Sequence, residues 1–186
     1  LLKGELFIIR YADDFIIGFE HEEDARRVNQ TLPKRMGKYG LTIHPEKSKL
    51  ISFTPEKSKK PPTFDFLGFT HYWAKSQRGN WIVKRKTRQK KMQAITQGIK
   101  DSCKIHKHEK LKAQAKRLRA KLLGLYQYFG IRGNFISIHR MYKITIYAWF
   151  KWLNRRSQRH SYTWKGYGEL LKVFKLPKPR IVHYNV

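Results

Sequence analysis

Two mostly apolar runs flank a pair of acids near the start of the chain. The runs are residues 6–10 and 15–19, and Asp13 and Asp14 stand between them. Branched and aromatic residues favour strands on both sides of the acids, and aspartate tolerates turn geometry better than most residues. The pattern predicts a β-hairpin that carries both acids at its tip.

The period of the apolar residues changes after this hairpin. Residues 22–39 are predicted to form a helix, because apolar residues step by three or four and acids fall in the first turn. Pro33 predicts a kink or a break near residues 31–32, and Gly40 supplies a stop. The apolar stripe consists of Ala25, Val28, Leu32, Met36 and Tyr39.

Short strands and turns are predicted next. Residues 41–43 and 49–53 have the pattern of short strands around a turn at 44–48, and the proline-rich residues 54–63 have that of an exposed loop. Residues 64–69 are strand-like, and Gly68 would let another backbone approach closely. Residues 71–75 and 81–84 predict a hairpin that is closed by residues 77–80.

A dense basic run covers residues 84–91, and beyond it the chain is predicted to be helical. Three amphipathic stripes can cover one another in a small helical domain, and residues 164–175 predict a last short helix before an extended segment at 176–180. The fold class is therefore α+β. The stripes are Met92, Ile95, Ile99 and Cys103; Leu111, Ala115, Leu118, Leu122 and Leu125; and Phe135, Ile138, Tyr142, Ile146, Trp149 and Leu153.

The charge of the chain indicates a polyanionic partner. It contains 41 Lys and Arg against 13 Asp and Glu, which gives a formal net charge of +28. Nucleic acid is the first choice, because basic helix faces that also carry Tyr and Trp suit phosphate contact and base stacking; a basic structural protein is the alternative. No run reaches the roughly 20 apolar residues of a membrane span, so no membrane partner is expected. The predicted nucleic-acid-binding residues are Lys84, Arg85, Lys86, Arg88, Lys90, Lys91, Lys116, Arg117, Arg140, Arg155 and Arg156.

The cysteine content limits which disulfides and metal sites the chain can form. Cys103 is the one cysteine, which excludes an internal disulfide and suits a reducing compartment. His106 and His108 lie close to it in sequence, but a zinc site needs about four ligands. We therefore expect no metal at this position.

The paired acids of the first hairpin suit a divalent metal. Magnesium takes oxygen ligands and keeps several waters, so one or two carboxylates and substrate phosphates complete its coordination shell. Two such ions can stabilise the attacking and leaving oxygens of a phosphoryl transfer. A polar turn without chemistry is the alternative interpretation of Asp13 and Asp14.

The block Tyr11-Ala12-Asp13-Asp14 inside an apolar hairpin resembles the palm active site of reverse transcriptases, particularly the group II intron-encoded type. Further motifs follow in that family's order. Residues 40–43 with 45–48 resemble the next palm motif, and residues 66–69 resemble the primer-holding motif after it. The distal helices resemble the thumb, or maturase domain.

The resemblance implies a nucleotidyltransferase that copies RNA into DNA. Asp13 and Asp14 would be the catalytic ligands of Mg²⁺ or Mn²⁺, with Asp13 the stronger. Tyr11 and Ala12 would lie against the nucleotide and the primer end, and Lys47 would lie near the phosphates of the dNTP. The primer itself would be held by Phe66, Leu67 and Gly68. The implied partners are an RNA template or intron RNA, primer DNA and dNTP.

The resemblance also implies a domain organisation. Residues 1–85 would be the C-terminal part of a palm, with antiparallel strands and a helix, and residues 86–186 an all-α thumb of three to four helices. The family's other metal-binding aspartate and its basic fingers do not lie in these residues, so we expect a portion of a longer enzyme that cannot polymerise alone. The expected location is the cytoplasm of a bacterial host, or an organelle. The alternative is a non-catalytic RNA-binding remnant that assists intron folding or splicing.

Overall fold

The computed structural model describes residues 2–55, 61–159 and 161–184. These residues contain strands in two sheets and five helices, so the predicted α+β class is confirmed. The elements, in chain order, are β1 (Leu6–Tyr11), β2 (Asp14–Phe19), α1 (Glu22–Gly37), β3 (Thr63–Phe66), β4 (Phe69–Lys75), β5 (Trp81–Thr87), α2 (Gln89–Ile105), α3 (Leu111–Phe129), α4 (Phe135–Leu153) and α5 (Trp164–Phe174).

The chain divides into two compact units. The first contains the described residues through Leu67 together with His71–Val83, and the second contains Gly68–Thr70 and the described residues from Lys84 onward. The first unit therefore holds the hairpin β1–β2 and α1, and the second holds α2–α5. Strands β4 and β5 contribute residues to both units. The palm and thumb identities of the two parts remain predictions.

The predicted acid-tipped hairpin is confirmed. Strands β1 and β2 pair antiparallel in a register that runs from Leu6 opposite Phe19 to Tyr11 opposite Asp14. Helix α1 follows and contacts β2. The local apolar pattern therefore sufficed to predict both the strands and the position of the turn.

Helix α1 continues past Pro33 to Gly37, so of the predicted kink or break near residues 31–32 the break is wrong, and the kink stays a prediction. A proline inside a helix removes one backbone hydrogen bond, in this case to the carbonyl of Asn29. Asn29 and Pro33 both lie on the exposed face, where water can satisfy that carbonyl. The hydroxyl of Thr31, two residues before Pro33, donates to the carbonyl of Arg27 at 2.9 Å.

The start of α1 is fixed by a buried acid. Asp24 accepts hydrogen bonds from the backbone N–H groups of Lys3 (2.8 Å) and Gly4 (3.2 Å). Burial raises the pKa of this carboxyl, but the two backbone donors, with His21 and Arg27 nearby, hold it below its ordinary value. Asp24 therefore stays ionised and ties the N-terminal segment to the helix.

Two predicted strands, residues 41–43 and 49–53, are irregular, and that prediction is wrong. Within the described part of the chain they pair with no strand, and short extended segments need a neighbour to form a stable ladder. The turn predicted between them is confirmed, because the backbone N–H groups of Lys47 (3.2 Å) and Ser48 (3.1 Å) both donate to the carbonyl of His44.

Residues 64–69 do not form the single strand that their apolar pattern predicts. Strand β3 ends at Phe66, and β4 begins at Phe69. Leu67 and Gly68 lie between them with φ of 46° and 78°, the positive values that a type I′ hairpin turn requires at both central positions. Leucine disfavours the left-handed region, so the sequence did not predict this turn.

The second predicted hairpin is confirmed. The N–H of Ser76 donates to the carbonyl of Asn80 at 2.8 Å, and the N–H of Gly79 donates to the carbonyl of Ser76 at 3.0 Å. These bonds close the connection between β4 and β5. The loop predicted at residues 54–63 lies partly outside the described residues, which omit 56–60, and Thr63 already belongs to β3.

The three predicted amphipathic helices are confirmed as α2, α3 and α4, and the last short helix as α5. Their stripes supply most of the core of the second unit, as the spacing predicted, but Phe135 of the α4 stripe is 46% exposed. None of the helices in the described residues has the length and apolar character needed to cross a membrane. Fully buried side chains in this core include Leu122, Tyr126, Ile138, Met141, Trp149, Leu153 and Tyr167.

A buried asparagine joins strand β5 to the helical core. The side-chain oxygen of Asn134 accepts from the backbone N–H of Thr87 at 2.9 Å. Its side-chain nitrogen donates to the hydroxyl of Thr87 and to the carbonyl of Phe129, both at 2.9 Å. Asn134 is 1% exposed, so these bonds are shielded from water.

Cys103 is buried in the same core. Burial raises the pKa of its thiol to about 11, so the thiol is neutral at physiological pH. A neutral, buried thiol is a poor nucleophile and a poor metal ligand. Cys103 is therefore a core residue.

The loop between α2 and α3 is held by Glu109. Arg117 donates from Nη2 to both carboxylate oxygens of Glu109, at 3.0 and 2.9 Å, and His106 Nδ1 lies 2.7 Å from Oε1. The backbone carbonyl of Glu109 accepts from Gln114 Nε2 at 2.8 Å and from Arg156 Nη2 at 3.1 Å. One residue thus links the loop to α3 and to the end of α4.

Acid should loosen this loop through Glu109. The hydrogen bond from Arg117 lowers the pKa of Glu109 most strongly; burial opposes it, and His106 lowers it further. A depressed folded-state pKa contributes stability that is present above the unfolded value of 4.5 and lost as the pH falls through the folded value. We expect the free energy of unfolding of wild-type protein to fall more steeply with acid below that pH than that of Glu109→Gln, in urea titrations followed by circular dichroism.

The control for this measurement is Glu169→Gln. Glu169 forms an exposed ion pair with Lys172, which contributes little to stability. This variant should keep the wild-type pH dependence. Identical pH dependence in Glu109→Gln and wild type would contradict the assignment.

Candidate functional site

The tip of the first hairpin is a two-residue connection. Tyr11 and Asp14 form the last pair of the ladder, so Ala12 and Asp13 make the turn. Ala12 has a φ of 51°, a left-handed conformation that costs an L-residue roughly 1–2 kcal/mol. The side chain of Arg10 donates from Nε to the carbonyl of Ala12 at 2.9 Å. A strained residue that is held by a neighbour therefore fixes the position of Asp13.

The hairpin brings four of the predicted site residues together. Tyr11, Ala12, Asp13 and Asp14 are adjacent and exposed. Backbone strain in an exposed turn that carries carboxylate side chains is typical of functional sites. Both carboxylates are accessible to an ion or a phosphate-bearing substrate.

The donor set fits part of a magnesium site. Asp13 and Asp14 offer carboxylate oxygens, which Mg²⁺ prefers, together with room for the waters that it retains. Within residues 2–55, 61–159 and 161–184, no three His, Cys, Asp or Glu side chains are grouped so that they could hold a metal ion. Among the described residues, Asp13 and Asp14 therefore have no third side chain of these types beside them.

The flanking strands expose apolar surface around this site. Phe7, Ile8 and Ile9 are 57%, 61% and 50% exposed in the first unit. A two-stranded ribbon is marginally stable by itself, and further strands or a covering helix normally bury such residues. The exposed stretch marks the hairpin as a surface suited to packing against additional structure.

The remaining predicted substrate-binding residues lie on two other turns. Lys47 is exposed on the turn after His44. Phe66 ends β3, and Leu67 and Gly68 form the turn to β4. The carbonyl of Gly68 accepts from the backbone N–H of Arg88 at 2.9 Å, which anchors this turn within the second unit.

Substitution of Gly68 should destabilise the turn through strain alone. A Cβ at Gly68 would meet no atom closer than 3.8 Å, so Gly68→Ala introduces no clash. Its φ of +78° costs an L-residue roughly 1–2 kcal/mol. We expect Gly68→Ala to lower the free energy of unfolding by about that amount in urea titrations.

Gly98→Ala is the matched control. Gly98 lies in helix α2, and a Cβ added there would meet no atom within 4 Å, so alanine should stabilise the helix by up to about 1 kcal/mol. Opposite signs for the two variants are expected. Equal effects would show that the left-handed conformation of Gly68 does not matter for stability.

The predicted basic residues are distributed over several elements. Lys84, Arg85 and Lys86 lie on β5; Arg88 precedes α2, whose first turn carries Lys90 and Lys91. The other five residues lie on or just beyond the helices: Lys116 and Arg117 on α3, Arg140 on α4, and Arg155 and Arg156 after α4.

Arg117 and Arg140 have different surroundings. The guanidinium of Arg117 is paired with Glu109, so its charge is already partly neutralised. Arg140 lines an open groove on the helical unit together with Lys100 and the amide side chains of Gln93 and Gln97. Cations and amides in one groove can contact phosphates and sugars of a nucleic acid.

The contact between Lys107 and Trp152 has no signal in the sequence that predicts it. Both lie near the C-terminal end of α4, and the Nζ of Lys107 is 5.8 Å from the centroid of the Trp152 ring. They are far apart in the chain, and no local pattern connects them. A lysine-rich segment before α3 and a tryptophan at the end of a basic helix were the only signals available.

Comparison with known proteins finds a similarity in the first part of the chain. The family model for reverse transcriptase (RNA-dependent DNA polymerase) matches residues 1–71. A search of curated proteins found no match to the chain. The matched region includes the acid-tipped hairpin, the turn that carries Lys47 and the turn at Leu67 and Gly68. Residues 1–71 are therefore similar to reverse transcriptases.

Proposed function

We propose that this chain is part of a group II intron-type reverse transcriptase, or maturase. The proposed activity is RNA-directed DNA synthesis, in which a primer on an RNA template is extended with dNTPs, and the proposed second role is binding of intron RNA. The observation that carries the proposal is the exposed Asp13–Asp14 pair at a strained hairpin tip inside the matched region. The location of the protein in a bacterial cytoplasm is part of the same proposal.

Asp13 and Asp14 are proposed to hold a divalent ion, Mg²⁺ or Mn²⁺. When bound, such an ion stabilises charge on the attacking and leaving oxygens of a phosphoryl transfer. Asp13, at the apex of the turn, would be the principal ligand, and Asp14 would support it. The hydrogen bond from Arg10 to the carbonyl of Ala12 holds the turn in a conformation that presents both acids.

The other turns of the matched region are proposed to contact the substrates. Tyr11 and Ala12 would lie against the nucleotide and the primer end. Lys47, exposed on its turn, can neutralise charge that develops on the leaving pyrophosphate. The hairpin turn at Leu67 and Gly68 would support the primer strand.

The isolated chain is proposed to bind nucleic acid without extending it. The resemblance requires a further metal-binding aspartate and basic finger residues, and neither lies in these residues. A labelled DNA primer annealed to an RNA template, incubated with the chain, dNTPs and Mg²⁺ or Mn²⁺, should be bound and remain the same length. Extension would contradict the need for further residues, and absence of binding would contradict the proposed function.

A non-catalytic RNA-binding role is the second candidate. The charge of +28 and the basic residues of the helical unit favour it, because they suit RNA binding whether or not the acids act. The two candidates differ in the role of Asp13. If Asp13→Ala leaves intron splicing intact and abolishes DNA synthesis in the complete protein, the two roles coexist; if no DNA synthesis is detectable in wild type, binding alone remains.

Binding should depend steeply on salt. If eight phosphates are contacted, the logarithm of the affinity should fall with the logarithm of the salt concentration with a slope of about −7, taking roughly −0.9 per phosphate of a duplex. Fluorescence anisotropy of a labelled RNA hairpin over a salt series measures this slope. A flat salt dependence would contradict both candidate functions.

A further inference from the structure

Three cations gather around one tryptophan at the end of α4. The Nζ atoms of Lys107 and Lys151 and the guanidinium carbon of Arg155 each lie 5.8 Å from the centroid of the Trp152 ring. Lys151 lies in the last turn of α4 and Arg155 just after it, whereas Lys107 comes from the loop between α2 and α3. We call Lys107, Lys151, Trp152 and Arg155 the Trp152 cluster.

The cluster concentrates positive charge without a matching acid. A planar ring has two faces, so at least two of the three cations share one face. Among the described residues, the nearby acid Glu109 pairs with Arg117 and His106, and no ion pair joins a carboxylate to Lys107, Lys151 or Arg155. A cation–π contact contributes only about 0.5–1 kcal/mol at exposed sites, and the like charges repel one another. An anion among the cations would relieve that repulsion.

The cluster is held in place by the structure around it. Lys107 Nζ donates to the carbonyl of Arg155 at 3.3 Å. The carbonyl of Lys107 accepts from Gln114 Nε2 at 3.1 Å, and the oxygen of Gln114 accepts from buried Trp149 at 2.9 Å. The cations are therefore brought together by tertiary contacts, which reduces the entropy that a ligand must overcome.

A neighbouring arginine adds an unsatisfied donor. Arg156 donates from Nη2 to the carbonyl of Glu109 at 3.1 Å. Its Nε is buried and has no hydrogen-bond partner among the described residues. The loop thus fixes the guanidinium of Arg156, which is next in sequence to Arg155 of the cluster, and adds a further positive charge there.

We propose that the Trp152 cluster binds a backbone phosphate of RNA. Three cations with no carboxylate partner suit a phosphate oxygen, because charge-assisted hydrogen bonds are the strong ones. A lipid surface fits less well, since membrane-bound helices insert apolar side chains beside their cations, whereas Trp152 is half-buried and surrounded by the cations themselves. The inference rests on the proposed RNA binding and names one place where it occurs.

The test compares two doubly substituted proteins with equal changes of charge. Lys107→Gln with Arg155→Gln removes two cations of the cluster. The control, Lys3→Gln with Arg26→Gln, removes a lysine and an arginine that already pair with Glu23 and Glu22. Anisotropy of a labelled RNA hairpin should show affinity about tenfold lower for the cluster variant, with a salt slope smaller by about 0.7–0.9, the value for one phosphate contact. The control should stay within about twofold of wild type.

A spectroscopic measurement reports on the ring directly. With 5-fluorotryptophan incorporated, the ¹⁹F resonance that is missing in Trp152→Phe belongs to Trp152. Addition of the RNA hairpin should shift this resonance and leave that of buried Trp149 unchanged. Circular dichroism of each variant confirms that it is folded.

The outcomes separate this inference from the proposed function. If wild type binds RNA with the expected salt dependence and the cluster variant binds as the control does, the inference is wrong and the proposed function stands. An unmoved Trp152 resonance in the RNA-bound protein also overturns the inference. Binding to phosphatidylglycerol vesicles that depends on the cluster, with RNA binding unaffected, would assign it to a membrane surface. If wild type does not bind RNA, both proposals fail.

Discussion

The substitution Asp13→Asn is expected to lower RNA-templated DNA synthesis at least about a thousandfold in a polypeptide that joins this chain to the fingers and the further palm strand that the proposed function requires. Asparagine keeps the size and the turn preference of aspartate and removes the charge. Loss of a metal ligand forfeits several kcal/mol of charge stabilisation, and about 4 kcal/mol corresponds to three powers of ten in rate. Single-turnover extension of a labelled primer measures the loss.

Two comparisons make this result specific. Asp14→Asn should lower the rate of DNA synthesis less than Asp13→Asn does, because Asp14 is the first residue of β2 and is proposed to support Asp13. Glu169→Gln makes the same chemical change on α5 at an exposed ion pair and should leave the rate unchanged. Paramagnetic broadening by Mn²⁺ of the Ala12 amide resonance in the isolated chain should weaken in Asp13→Asn. Wild-type synthesis by Asp13→Asn would refute the assignment of the acids.

The substitution Trp149→Ala is expected to lower the free energy of unfolding of the helical unit by about 4–6 kcal/mol. Removal of a buried Trp side chain costs about 3–5 kcal/mol through lost burial and the cavity that remains. Trp149 is 1% exposed and meets Tyr167 and Phe174 edge to face. Its Nε1 also donates to Gln114 at 2.9 Å, so alanine leaves a buried acceptor without a partner, at a further cost of about 1 kcal/mol or more.

Controls divide this loss into its parts. Trp149→Phe keeps most of the ring and removes the hydrogen bond, so it should lose about half as much stability. Trp164→Ala removes a tryptophan that is 53% exposed and should cost much less. Guanidinium titrations followed by far-ultraviolet circular dichroism measure all three variants. A loss below about 1 kcal/mol for Trp149→Ala would show that the core repacks around the cavity.

Local patterns predicted most of the fold. The hairpin tip was predictable because its apolar runs and paired acids all lie within one short segment, from Leu6 to Phe19. The stripes of α2, α3 and α4 were predictable because a helix repeats its contacts every three or four residues. In both cases the residues that determine the element are close in sequence.

Features that depend on distant contacts escaped prediction. The turn at Leu67 and Gly68 carries a leucine in a conformation that leucine disfavours, so the surrounding structure must supply the compensation. Residues 41–43 and 49–53 have strand-like composition and, within the described residues, no strand to pair with. Lys107 and Trp152 meet only because two helix ends come together. The periodicity of a sequence does not predict contacts between residues that lie far apart in the chain.

Because Cys103 is buried, the rate at which its thiol is labelled can report how often the surrounding core opens. Because the chain has one cysteine and burial keeps that thiol protonated, a thiol reagent can react only when the core around α2 opens. The rate of labelling under native conditions then reports the free energy of that opening, as hydrogen exchange does for amides. Every core substitution can thus be ranked in dilute buffer, without denaturant, by the time that one sulfur takes to react.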